Sequence, residues 1–126
     1  MNILFLCVAN SARSQMAEGL ARHLYPEHRF QSAGSMATRV HPLAVEALAE
    51  LGIDISSHTS KAVADMDLSK VDYIIRLCAE EVCPPLPAGS SIESLSWPTP
   101  DPAGDGIEAF RTARDQIKER LEKITF

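Results

Sequence analysis

The stretch Cys7-Val8-Ala9-Asn10-Ser11-Ala12-Arg13-Ser14 places a thiol and a guanidinium with five residues between them. A loop that leads from a strand into a helix can wrap its backbone N–H groups around an anion, with the positive end of the helix behind them. Those donors and Arg13 favour the thiolate over the thiol, so a nucleophile stands where the anion would bind. The planar fork of Arg13 can grip two oxygens of a tetrahedral oxyanion. Ser14 is placed to cap the helix and to hydrogen-bond the thiolate. A lone cysteine ending a strand is ordinarily a packing residue. Here the cysteine, the spacer, the arginine and the strand-to-helix context occur together, which points to chemistry. The loop lacks the glycine and lysine pattern of a nucleotide-binding loop, so ATP or GTP is not implied.

Other residues could serve the same chemistry. Asp101 lies between Pro100 and Pro102, and prolines on both sides hold a carboxyl group in a stiff loop. An attack by thiolate needs an acid to protonate the leaving oxygen. The ordinary alternative is a simple Asp-Pro turn. Cys78 and Cys83, with four residues between them, are the remaining thiols; separately, each reads as a strand-end or loop residue. Zinc is not expected, because the spacing is not Cys-x-x-Cys and no histidine pair sits at ligand spacing. His23, His28, His41 and His58 are scattered and read as surface or capping residues.

The elements that would position these groups follow from the hydrophobic pattern. Ile3 to Leu6 is an apolar run suited to a strand buried on both faces. Met16, Leu20 and Leu24 define a helix with Gln15, Glu18 and Arg22 elsewhere on its wheel, ending before Pro26. A second strand fits Arg29 to Ser32. A helix starting at Pro42 turns Ala44, Ala47, Leu48 and Leu51 inward and stops at Gly52. A short amphipathic piece covers Lys61 to Met66. Strands fit Val71 to Leu77 and Ile92 to Trp97, and a last helix carries Ile107, Phe110, Ile117, Leu121 and Ile124. Alternating strands and helices argue for an α/β fold with a parallel sheet covered on both faces. Cys7, Cys78 and the Pro98–Asp101 loop all follow strands, where ligands of such folds bind.

The whole sets the bounds. The 126 residues suit one domain, 1–126, and 45% hydrophobic with 23% charged residues are globular values. A net charge of −5 without a basic run argues against nucleic acid as a partner. No signal peptide or membrane span is legible, so the expected location is the cytoplasm, where thiols stay reduced.

The chain resembles the low-molecular-weight protein tyrosine phosphatases and, within them, the arsenate reductases of the same fold. The resemblance is carried by Cys7 through Ala17 with Glu18-Gly19, by Ser32-Ala33-Gly34, by Gly52-Ile53-Asp54-Ile55-Ser56 with His58-Thr59-Ser60, and by Asp101-Pro102-Ala103. It implies a single domain with a four-stranded parallel sheet flanked by helices, Cys7 as nucleophile, Arg13 as oxyanion grip and Asp101 as general acid. A buttressing role for His58 is implied as well. The Cys78–Cys83 segment is similar to that of thioredoxin-linked arsenate reductases, although their spacer is somewhat longer. That similarity implies a relay in which Cys7 takes up arsenate, Cys78 attacks Cys7, and Cys83 moves the disulfide to Cys78–Cys83. The implied reductant is thioredoxin, or glutaredoxin with glutathione. The alternative is a phosphomonoester phosphatase; against it, Ala103 stands where phosphatases of the family usually carry an aromatic residue. Some thioredoxin-linked members hold potassium with an acid after the Thr-Ser pair. Lys61 stands there instead, which argues against the ion although Asn10, Glu18 and Ser32 match its other ligands.

Overall fold

The computed structural model describes residues 1–78 and 92–124. Its elements in chain order are β1 (Asn2–Leu6), α1 (Arg13–Leu24), β2 (Arg29–Ala33), α2 (Pro42–Ala49), a 3₁₀ turn (Val63–Asp65), β3 (Tyr73–Arg76), β4 (Glu93–Ser96) and α3 (Ile107–Lys123). The strands form one sheet in the order β2-β1-β3-β4, with every neighbouring pair parallel. This is the four-stranded parallel α/β sheet expected. β1 occupies an interior position, and its alternate residues feed opposite faces. Ile3 and Phe5 pack with the three described helices. Leu4 and Leu6 pack on the other side with Ala33, Val71 and Ile74.

The helices gather on a single face among the described residues: α1, α2 and α3 contact one another over the larger core. The second face is covered by Val63, Met66, Leu68 and Ile92. The amphipathic piece expected over Lys61 to Met66 shrinks to the single 3₁₀ turn, none of whose three residues is buried. β3 and β4 are shorter than the hydrophobic runs suggest. Val71 and Leu77 remain buried beyond the ends of β3. Gly52 does end α2, at φ 78°, in the left-handed region where a side chain is strained.

α1 departs from a simple amphipathic helix. Every residue from Arg13 to Ala21 is buried, including Gln15 and Glu18. Its polar side is covered by the chain around His58 to Lys61, as the hydrogen bonds below show.

Candidate active site

The loop between β1 and α1 is fixed from below by the end of β2. Cys7 N–H donates to Ala33 O at 3.2 Å, and Ser35 N–H donates to Val8 O at 2.7 Å. Gly34 makes this approach possible. A Cβ there would lie 2.5 Å from Val8 O and 2.7 Å from Asn10 N, both backbone atoms that cannot step aside. The Ala9 carbonyl accepts from the hydroxyls of Thr38 and Ser60, and Ser11 O accepts from His41 N–H at 2.9 Å. The loop therefore hangs between β2, α2 and the 58–61 segment.

Asn10 takes a left-handed conformation at φ 48°, the sole positive φ of a non-glycine residue among those described. A left-handed residue next to right-handed ones turns successive N–H groups toward a common centre, the geometry of an anion nest. Cys7 is a free thiol with 2% exposure, and its Sγ lies 2.8 Å from Ser14 Oγ. Ser14 Oγ in turn accepts from Asn10 Nδ2 at 2.8 Å. Ser14 does not cap the helix: the N-cap is Ala12, without a side-chain hydrogen bond. The hydroxyl is drawn to the sulfur and the Asn10 amide instead.

Arg13 is buried yet carries charge. Its Nη1 donates to Thr99 O at 2.9 Å and Leu77 O at 3.3 Å. Nη2 lies 3.9 Å from Asp101 Oδ2. Thr99 is itself locked, with its hydroxyl donating to Trp97 O and its N–H to Leu77 O. Asp101 Oδ1 accepts from Ala103 N–H at 3.1 Å, forming the turn across Pro102. The structure thus brings Cys7, the loop, Arg13 and Asp101 to one end of the sheet. Cys78 follows Leu77 directly, is buried, and is disulfide-bonded. Cys83 lies outside the described residues.

A buried polar network extends behind the loop. Gln15 Nε2 donates toward Asn10 Oδ1 at 3.0 Å, Asn10 O at 3.2 Å and Thr59 O at 3.0 Å. Gln15 Oε1 and Glu18 Oε2 lie 3.2 and 3.3 Å from His58 Nδ1, and Ser32 Oγ donates to Glu18 Oε1. Burial holds the His58 imidazole below its ordinary value, against the opposing pull of Glu18. Lys61 N–H donates to Asn10 Oδ1 at 2.7 Å, and its ammonium to Thr59 O at 2.9 Å. Gln15 and Thr99 carried no signal as site residues in the sequence. The one available clue for Gln15 is its place three residues into a helix, where an acid suits the helix dipole better.

The description "Low molecular weight phosphotyrosine protein phosphatase" belongs to the family model that matches residues 2–125. Arsenate reductase 2 of Staphylococcus epidermidis is 42% identical over 125 residues, covering 97% of this chain and 94% of that protein. The glutaredoxin arsenate reductase of a Synechocystis species is 40% identical over 123 residues, with 97% and 94% covered. A solved arsenate reductase in the phosphate-binding state superposes with a TM-score of 0.84 at 40% identity, covering 96% of this chain and 93% of that one.

Proposed function

The chain belongs to the low-molecular-weight phosphotyrosine protein phosphatase family, and from that premise we propose that it is an arsenate reductase using Cys7, Cys78 and Cys83 in sequence. Cys7 thiolate attacks the arsenic of arsenate held by the N–H groups of Val8 to Ser14 and by Arg13. Asp101 gives its proton to the departing oxygen, which leaves as water, and a Cys7–S–As(V) adduct remains. Cys78 thiolate then attacks the Cys7 sulfur. A Cys7–Cys78 bond forms, the S–As electron pair passes to arsenic, and As(III) leaves as arsenite. Cys83 attacks Cys78 and restores the Cys7 thiolate, leaving the Cys78–Cys83 disulfide. An external dithiol protein, thioredoxin or glutaredoxin with glutathione, returns it to two thiols. Such a cycle belongs in the cytoplasm, where thiols are kept reduced.

One observation carries the reading. Arg13, the proposed oxyanion grip, hydrogen-bonds the carbonyl of Leu77, one peptide from Cys78, so a second cysteine adjoins the proposed anion site. A phosphatase has no use for it. The absence of an aromatic residue after Asp101-Pro102 agrees.

The test is to mix fully reduced protein with arsenate, without any external reductant, and to record intact mass and the disulfide map. Loss of two hydrogens, a Cys78–Cys83 bridge and one arsenite released per chain are expected. Protein that stays fully reduced overturns the relay and leaves the phosphatase, which Cys7, Arg13 and Asp101 would suffice to run. Thioredoxin and glutaredoxin with glutathione, added separately, then identify which system restores turnover.

A further inference from the structure

Gln15 is fully buried, yet no step of the proposed chemistry uses it. Its surroundings fix how its amide must lie. The atom facing Asn10 O and Thr59 O meets two backbone carbonyls, which only accept, so it is the NH₂ group. The other amide atom is then the oxygen, and it faces His58 Nδ1. Glu18 also faces that ring nitrogen, so Nδ1 carries a hydrogen. Asn10 is determined in the same way. Its Oδ1 receives Lys61 N–H and the Gln15 amide, so its NH₂ group points at Ser14 Oγ. Ser14 Oγ, already accepting there, has its own hydrogen free for Cys7 Sγ.

We propose that Gln15 is the positioning residue of this site, clamping Asn10 in its left-handed turn so that Asn10 and Ser14 direct a hydrogen bond onto the Cys7 thiolate. The claim rests on the reading of Cys7 as a thiolate nucleophile. Gln15 ties the Asn10 peptide to the 58–59 segment, so the carbonyl of the left-handed residue is held as well as its side chain. Losing the clamp frees Asn10 to relax toward a right-handed conformation, which is the lower-energy region for a residue with a Cβ. The nest then loses its shape and Ser14 loses its orientation together. Glutamate is the better residue for the helix dipole at this place, but its carboxylate would face three acceptor oxygens. The site needs donors there, which only the amide supplies. Around this network the charged or titratable groups are Arg13, Glu18, Arg22, Asp54, His58, Lys61 and Asp101, and a neutral residue at Gln15 adds no charge to them.

The test is Gln15→Met, which keeps length and loses every hydrogen bond. The first readout is the pH dependence of iodoacetamide alkylation at Cys7, measured on the Cys7 peptide by mass spectrometry. The second is protection of Cys7 by inorganic phosphate. The midpoint is expected to rise by about one pH unit, since a hydrogen bond to a charged group is worth roughly that much. The phosphate concentration giving half-protection is expected to rise about tenfold, on the same equivalence. Folded Gln15→Met protein with unchanged midpoint and unchanged protection overturns the proposal. Should that variant fail to fold, His58→Leu decides. It removes the N–H that holds Gln15 Oε1 and must shift both readouts in the same direction; no shift overturns the proposal. Alkylation needs no arsenate, so a failed arsenite release would strike the proposed reaction while leaving this result standing.

Discussion

Cys7 and Asp101 meet opposite demands within one site. The thiol is sealed at 2% exposure while the Asp101 side chain stands 51% exposed, near Arg13. Burial lets the loop donors act on the sulfur at full strength, whereas the acid proposed at Asp101, which would collect a proton from solvent each cycle, benefits from contact with water. Arg13 reaches toward Asp101 through Nη2, while Nη1 donates to Leu77 O and Thr99 O. Asp101→Asn keeps the shape and removes the proton. It is expected to slow formation of the Cys7 adduct by about 10²- to 10⁴-fold, measured by rapid-quench mass spectrometry with arsenate. Phosphate protection of Cys7 against alkylation should change little, because binding is left to the loop and Arg13. Equal losses in binding and in adduct formation would deny Asp101 the acid's role.

Between elements, the critical contact is the end of β2 against the loop that follows β1. Gly34 is required there for space rather than for backbone freedom, since its missing Cβ is what lets Val8 O and Asn10 N come so near. Gly34→Ala is expected to cost about 1 to 3 kcal/mol of stability, as overpacking does, read by urea unfolding. Folded protein should also lose phosphate protection of Cys7, because the loop must shift to admit the methyl group. At the other end, α2 and α3 are joined by charge. Glu50 accepts from both Arg111 and Arg114, and Arg111 also reaches Glu108. Hydrogen bonds from the two guanidiniums hold the Glu50 carboxyl down at about 2, from 4.5. Tyr25 closes the helical layer by donating from the end of α1 to Leu121 O in α3.

For the molecule as a whole, these groups predict a two-stage loss of stability on acidification. His58 is held below 6.5 by burial, so the unfolded chain binds more protons there and stability declines as pH falls below about 6.5. Glu50 adds a second decline as pH falls from 4.5 toward about 2. Urea melts across this range should show His58→Gln flattening the first stage and Glu50→Gln flattening only the second. A wild-type profile flat from pH 7 to about pH 5 would contradict the first assignment. How much of this could be read beforehand differs by part. The strand and helix order was legible because Ile3 to Leu6 and Met16-Leu20-Leu24 state their periods locally. The Cys7 to Arg13 loop was legible because a single connection from strand to helix brings both groups to one anion. Asp101 was marked by its flanking prolines. Gln15 and Glu18, read as the polar side of α1, are instead buried. Thr99 and Leu77, which hold Arg13 from 86 and 64 residues away, lay in segments expected at the site, but nothing in their residue types marked them as its anchors. The sequence by itself pointed to the proposed chemistry, because the nucleophile, grip and acid proposed here depend on residue type and short spacing. Only the tertiary structure decided how that chemistry is held, because the atoms anchoring Arg13 are backbone carbonyls, which every residue has, and only folding selects which of them converge.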